Sequence, residues 1–467
     1  MKKGRYFYFG RELCAQANRC LNNDTIKDIW RGCCSYCGTL SIFCCDGFCF
    51  TAGEAGYIQI PQNSEYIISV RDGGVFVGAV NSKALARAMM VLMMRIETVS
   101  ADEGEERFRI AECEIKSGYT VETRMIHFCV FPETTYSFIK KSIRLAGLMQ
   151  YTHVVLEFWG TLRFDCQRAL SWPSAFTKEQ AAELGREIKE MGMDVIPMFN
   201  HLGHASACRV SGGKHVVLDQ DPRLCTLFSP DGWSWNIESE KTKALLTRVR
   251  RELYDLFPHS EYFHLGCDEV YSYGTDEDNQ QKMREYLVSI VQTVHSEGKK
   301  PIIWGDMLLN HEMLGLGNEY FCNCDTPENS EKLISALPRY TIIADWHYDN
   351  TDIPVKTSLY LKDRGFEVMG TPWFLYDNCL AHAKTVQEYG LAGIIVTTWH
   401  TLAQQMAQIV YDAIICGAKH SLWAGESRNQ LETETAALLR KLCFVDGDYT
   451  EAGWTDNQVF KQARAAI

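Results

Sequence analysis

The sequence predicts an α/β protein: a TIM (β/α)8 barrel preceded by a small α+β domain. Three observations predict it. A helix with a glycine near its end, then a short apolar strand, recurs down the chain and can be counted eight times. Most of those strands end in polar or aromatic residues. One of them, in Glu261 to Val270, runs Tyr262, Phe263, Leu265, Gly266 and then into two adjacent carboxylates, Asp268 and Glu269.

The 467 residues make two domains a reasonable expectation and allow a large core without staples. Hydrophobic residues at 46% and charged residues at 23% are ordinary for a globular protein. A net charge of -12 argues against nucleic acid or an anionic membrane as partner, since both reward excess Lys and Arg. No run of about 18 apolar residues is present, so no spanning helix is expected. The opening MKKGRYFYFG lacks a signal-peptide core, and 19 cysteines are then read most simply as reduced thiols in a cytoplasmic protein. Eight of them fall in residues 14–49. Cys34-x-x-Cys37 has metal-ligand spacing, but no second such pair follows, and free cysteine also behaves as a small buried hydrophobe.

Within residues 1–120, Tyr66–Val70 and Val75–Ala79 flank Arg-Asp-Gly-Gly, a good hairpin turn. Asn81-Ser82 caps a helix through Met94. The charged stretch 101–106 is the most exposed loop of this small domain. The barrel is expected over 121–425, with strands at 124–131, 153–158, 194–200, 262–268, 301–305, 341–345, 367–372 and 393–398. The clearest unit begins at Thr177-Lys-Glu-Gln180, a capping box, and its helix closes near Met191 before Gly192. An open doubly wound sheet is the alternative, but its Gly-rich phosphate turn is absent. Residues 426–467 read as a helical extension without identifiable chemistry.

In a TIM barrel the functional face is the C-terminal face of the strands. The strand ends carry Glu157 and Trp159, His204, Asp268 and Glu269, Trp304 and Asp306, Trp346 and Tyr348, Trp373, and Trp399. Tryptophan also caps barrel mouths for packing alone, but five at five strand ends suggest a pocket with flat apolar faces, suited to sugar rings. Side chains alternate along a strand, so Asp268 and Glu269 share a pocket only where strand geometry relaxes. Two close, enclosed carboxyls disfavour double ionisation, which keeps one protonated near neutrality as a general acid. The longer Glu269 is the better arm to reach a leaving oxygen, and Asp268 is better placed to hold something still. A metal on Asp, Glu and His204 is the competing reading, without an HExxH-type pair to support it.

At these residues the chain resembles glycoside hydrolase family 20, the β-N-acetylhexosaminidases. His264-Leu-Gly-Cys-Asp-Glu269 is similar to the family's His-x-Gly-x-Asp-Glu signature. Pro197 to His204 resembles its third-strand segment, with Leu202 in place of a proline, and Ile302 to Asp306 and Ile394 to Trp399 resemble strands five and eight. The resemblance covers about 60–425 and is nearest the hexosaminidase D branch, through Gly-Cys-Asp-Glu-Val, Trp304 to Leu308 and Trp346-x-Tyr348.

It implies substrate-assisted retaining hydrolysis, in which the substrate's 2-acetamido oxygen is the nucleophile and no cofactor or metal is needed. Asp268 would orient the acetamido group and Glu269 would act as acid, then base. Arg124 would hold sugar hydroxyls. Trp304, Trp346 and Trp399 would wall the acetamido methyl, Tyr348 would donate to its oxygen, and Trp373 would complete the substrate site. His204 would sit in a relay behind Glu269, with Glu157 as its acidic partner. The implied partner is a carbohydrate ending in N-acetylhexosamine, with a homodimer left open as the assembly. His400 and Thr401 stand where many members have a glutamate, which leaves the choice between GlcNAc and GalNAc open. A non-catalytic glycan-binding barrel and a metal-dependent hydrolase on the same fold remain the other two readings.

Overall fold

The computed structural model describes residues 6–9, 48–52, 60, 64–71, 74–99, 107–132, 134–205, 221–230, 232–271, 273, 276–399 and 407–422. The charged loop 101–106, residues 400 and 401, the tail beyond 422, and the cysteine cluster apart from the backbone of Cys49 lie outside them. No described helix is long and apolar enough to cross a membrane.

Among the described residues the N-terminal part holds seven strands: β1 (Tyr6–Phe9), β2 (Phe48–Ala52), β3 (Tyr66–Arg71), β4 (Gly74–Ala79), β5 (Glu97–Val99), β6 (Arg107–Ala111) and β7 (Cys113–Lys116). They form two sheets, ordered β1-β6-β5 and β2-β4-β3-β7. β3 and β4 make the expected hairpin, with Arg71 opposite Gly74. The helix Ser82–Arg95 follows, and the Asn81 side chain accepts from the Ala84 N–H at 2.9 Å. Its Ala84, Leu85, Ala88, Met89 and Leu92 are fully buried and join Ile68, Val75 and Val77 in one core.

Eight parallel strands then close into a barrel: β8 (Arg124–Val130), β9 (His153–Phe158), β10 (Asp194–Met198), β11 (Tyr262–His264), β12 (Lys300–Trp304), β13 (Ile342–Trp346), β14 (Glu367–Thr371) and β15 (Gly393–Val396). The barrel closes where β15 pairs with β8, Ile394 opposite Arg124. Burial on both faces explains why these strands read as unbroken apolar runs. Met125, Val155, Ile196, Ile302, Ile342, Met369 and Ile395 form the inner core, whereas Ile126, Phe128, Val130, Val154 and Leu156 belong to the layer under the helices. The expected capping box is present: Thr177 accepts from the Gln180 N–H, and the Gln180 side chain returns to the Thr177 N–H. The helix Lys178–Glu190 ends one residue short of Met191, and Gly192 takes φ +83.

Two expectations about β8 and β11 are corrected. Residues 262–268 were expected as one strand, but β11 stops at His264, because Gly266, Cys267 and Glu269 take φ of +70, +70 and +49. Arg124 does not reach the mouth. It opens β8 at the opposite end, about 20 Å below Val130 at the usual strand rise. It also shares the outward parity of Ile126, Phe128 and Val130. Its guanidinium donates to the carbonyls of Val121, Glu122 and Gln150 at 2.8, 2.9 and 3.1 Å. There it lies 3.9 Å from Glu65 and over the ring of Tyr119. Around it, Tyr66 donates to Gln150 at 2.6 Å, and Arg87 bonds Glu65 at 2.9 Å and the Gly192 carbonyl at 2.6 Å.

Buried histidines set an acid limit on this packing. Burial lowers His382 to about 4, with the neighbouring His347 adding to the effect, and burial likewise lowers His153 to about 4. In the unfolded chain both protonate near 6.5. Their contribution is therefore present above pH 6.5 and is lost as pH falls from 6.5 towards 4, by roughly 3 kcal/mol for the fully enclosed His382. Urea midpoints at pH 7 and pH 5 should show this loss, and His382→Gln should flatten it.

Candidate active site

Relaxation of the chain after β11 brings the two acids to one place. Gly266 at φ +70 turns the chain beneath Asn200, and Cys267 and Glu269 continue in the left-handed region that non-glycine residues seldom occupy. Opposite, Gly203 passes the same turn closely: a Cβ there would lie 2.1 Å from the Asp268 carbonyl oxygen. His204, also left-handed at φ +55, projects into the gap. Its Nε2 lies 3.3 Å from Asp268 Oδ2 and 2.9 Å from Glu269 Oε2. The Asp268 side chain is 7% exposed and that of Glu269 30%. One imidazole thus gathers an enclosed carboxylate and a more accessible one.

Aromatic rings cluster at the ends of the neighbouring strands, linked to the acid pair through Asp306, which bonds the Glu269 N–H and Trp346 Nε1. Trp304 and Trp399 lie 5.8 Å apart, Trp346 and Tyr348 5.1 Å, and Tyr348 and Trp373 5.5 Å, all between ring centroids. Trp304 and Trp346 share the inward parity of Ile302 and Ile342, so the barrel's own alternation delivers them. Phe321 stacks on Trp346 at 4.5 Å. Trp399 Nε1 donates to the Tyr348 hydroxyl at 2.6 Å. The four residues expected as wall and donor, together with Trp373, are therefore contiguous.

Glu157 occupies the barrel interior. Its Oε2 meets His127 Nε2 at 2.9 Å and its Oε1 accepts from Asn200 Nδ2 at 2.9 Å. His204 Nε2 meets the acid pair itself, while these two bonds of Glu157 go to His127 and Asn200. His127 packs against Trp304 and Trp399, with centroids 5.8 and 4.8 Å apart, so this buried polar set forms the base under the aromatic wall.

His127, Cys129 and Glu157 are the one group among the described residues whose ligand atoms lie within metal-binding reach of one another. The Glu157 oxygens already have a histidine and an amide, which accounts for their closeness without an ion. His127 shares the parity of Met125, and Asn200 that of Ile196 and Met198, so strand alternation pointed to both. Asn323 and Trp233 come from loops, and no periodicity marks them. Trp233 Nε1 donates to the Glu269 carbonyl at 2.7 Å, and its ring lies 4.5 Å from His204.

Asp306, just after β12, also belongs here. It is 1% exposed and accepts from the Glu269 N–H at 2.9 Å, Asn323 Nδ2 at 2.8 Å and Trp346 Nε1 at 3.1 Å. Burial, reinforced by the charge of Asp268, raises it to about 7.

Residues 155–456 match the catalytic domain of glycosyl hydrolase family 20. The chain belongs to this family. It is similar to lacto-N-biosidase from Bifidobacterium bifidum, 23% identical over 410 residues, covering 82% of the chain and 32% of that protein. It is also similar to hexosaminidase D from Bos taurus, 30% identical over 129 residues, 25% of the chain and 35% of that protein. The chain therefore matches about a third of the length of each. The family 20 fold extends over nearly all of the chain. The exo β-N-acetylglucosaminidase of Vibrio harveyi, solved with N-acetylglucosamine, superposes with a TM-score of 0.65 at 12% identity. That match covers 94% of this chain and 74% of the other. A Streptomyces plicatus β-hexosaminidase solved with the product GlcNAc gives 0.63 at 12%, covering 96% and 93%.

Proposed function

We propose that the protein is an exo-acting β-N-acetylhexosaminidase that releases terminal GlcNAc, GalNAc or both by substrate-assisted retaining hydrolysis. The observation that carries this reading is the single imidazole of His204 holding both Asp268 and Glu269, linked through Asp306 to a cluster of aromatic rings. A two-carboxylate retaining site needs its acids on opposite sides of the glycosidic bond, about 5–5.5 Å apart. Here both converge on one imidazole, Asp268 enclosed and Glu269 more accessible, which suits a positioning group and an acid. A substrate that carries its own nucleophile completes such a site.

In the first step the acetamido oxygen attacks C1 and the C1–O bond to the leaving group breaks. Glu269 gives its proton to the departing oxygen. Asp268 accepts the acetamido N–H and balances the positive charge of the oxazolinium, in an enclosed setting where such stabilisation is strongest. Trp304, Trp346 and Trp399 pack the acetamido methyl, and Tyr348 supplies a hydroxyl for its oxygen. In the second step Glu269 takes a proton from water, the oxygen of that water bonds to C1, and the ring reopens with β configuration. Positioning carries much of the rate.

The test is chromophore release from paired aryl β-GlcNAc and β-GalNAc substrates by the folded protein. Turnover supports the reading, and the ratio reports the sugar preference. Binding of N-acetylhexosamine without turnover would transfer support to a glycan-binding barrel. Loss of turnover with chelator would transfer it to a metal-dependent hydrolase.

Asp268→Asn should lower kcat on the N-acetyl substrates by about 10²-fold or more, the scale of losing one aligned electrostatic group. The corresponding aryl β-glucoside, which has no acetamido group and so no nucleophile, should be turned over by neither protein. Turnover of the glucoside by the unaltered protein, or an unchanged kcat of Asp268→Asn on the N-acetyl substrates, would remove Asp268 from its assigned role. We further propose a reducing, cytoplasmic setting, supported by nine free thiols among the described residues.

A further inference from the structure

Asp306 is a buried carboxyl beside the acid pair to which the proposed reaction assigns no step. It opens a short 3-10 turn, Asp306–Leu308, and Gly305 before it makes no side-chain cap, so the turn itself does not call for a charge. Its three side-chain partners, the Glu269 N–H, the Asn323 amide and the Trp346 indole, offer only hydrogens in these contacts. A carboxylate has only lone pairs to give, so it satisfies all three. Asparagine has nearly the same shape but one donor end, which would face a donor whichever way the amide is turned. Asn323 is itself tied down, because its own N–H donates to the Asp306 carbonyl at 2.8 Å. The cost of enclosing this carboxyl, visible in its rise to about 7, is thus accepted for a set of contacts that a neutral residue cannot make.

The three contacts join two parts of the site that no strand connects directly. Oδ2 holds the backbone of Glu269, which stands at φ +49 and needs support from its surroundings. Oδ1 holds the indole of Trp346, one of the rings of the aromatic cluster. We propose that Asp306 is a positioning residue that sets the register between the general acid Glu269 and the wall residue Trp346, so that leaving oxygen and acetamido group are served at once. This inference rests on the hexosaminidase reading and extends it to a residue that touches no substrate.

The experiment compares two substrates with opposite demands on the acid. N,N'-diacetylchitobiose has a sugar leaving group that must be protonated, and GlcNAc β-fluoride releases fluoride without a proton. Asp306→Asn is expected to lower kcat/KM, which reports the steps up to departure of the leaving group, by about 100-fold on the disaccharide, within the usual range for a displaced general acid, and by less than about tenfold on the fluoride. The later attack of water, in which Glu269 is the base for both substrates, does not enter this ratio. Trp346→Phe removes the indole donor, and adding it to Asp306→Asn should cost less than the product of the two single losses, as expected for residues in one network.

Equal losses on the two substrates, or disaccharide turnover within about threefold of the unaltered protein, would overturn the inference. Should Asp306→Asn fail to fold, Asn323→Ala removes one of the three donors without touching Glu269 and should show the same split, reduced in size; an unsplit loss there overturns it equally. An unaltered protein that turns over neither substrate refutes the hexosaminidase reading, an outcome distinct from an unaffected variant of an active enzyme.

Discussion

Glu269→Gln is expected to reduce hydrolysis of β-N-acetylhexosaminides with sugar leaving groups by about 10³-fold, the middle of the range for removing a general acid. Glutamine keeps the size of the side chain and still accepts from His204 Nε2, now 2.9 Å from the carboxylate, so the site should stay assembled. What disappears is the proton for an alkoxide that cannot leave without it. A 2,4-dinitrophenyl glycoside, whose phenolate is stable without a proton, should keep most of its first step. Its second step still needs water to be deprotonated, so a burst of dinitrophenolate followed by slow turnover is the expected time course. Rapid-mixing measurement of that burst checks the assignment. Equal slowing of the burst and of disaccharide hydrolysis would mean that Glu269 supports the fold of the site and does not transfer the proton.

Gly266→Ala is expected to destabilise the protein by about 3–5 kcal/mol, the scale of severe overpacking combined with a strained backbone. A Cβ at this position would fall 1.4 Å from Asn200 Oδ1 and 3.2 Å from the Asn200 Cα, at φ +70. Asn200 has little freedom to retreat. Its amide holds Glu157, and its carbonyl accepts from Trp235 Nε1 at 2.9 Å. Gly298→Ala gives the comparison: φ is +82, but nothing lies within 4 Å of the added carbon, so only the conformational cost of about 1 kcal/mol is expected. Urea unfolding of both variants separates the two effects. Similar losses would show that the left-handed backbone, and not the contact with Asn200, dominates.

The eight barrel strands were legible because each is buried on both faces and bounded by helix signals. Thr177-x-x-Gln180 declared its helix by a local hydrogen-bond pattern that depends on nothing distant. The acid pair was legible because an apolar run ending in two carboxylates has few uses in a core. Arg124 was misplaced because similarity of sequence carries position along a strand but not the end or the face that a side chain serves. The parity of Ile126 and Phe128 in the same run would have turned it outward. The bonds of Glu157 to His127 and Asn200 were not foreseen for a related reason: the three meet only across three adjacent strands, a relation between registers that one segment does not contain. Asp306 was visible as a strand-end residue, but its three donors arrive from separate segments and become apparent only when the barrel closes.

Arg124 has a further consequence at the base of the barrel. Its guanidinium sits under the closing seam of β8 and β15, beside Glu65 and within the set that ties Tyr66, Arg87 and Gln150 together. The small sheet therefore holds the counter-charge for a barrel residue, and Gly192 leaves no room for a side chain against the Lys83 carbonyl. Modules that exchange freely between proteins meet through surfaces each can do without. These two do not, so recombination that separated them would leave a buried cation without its acid. The barrel and its underlying sheet are thus expected to be inherited as one unit.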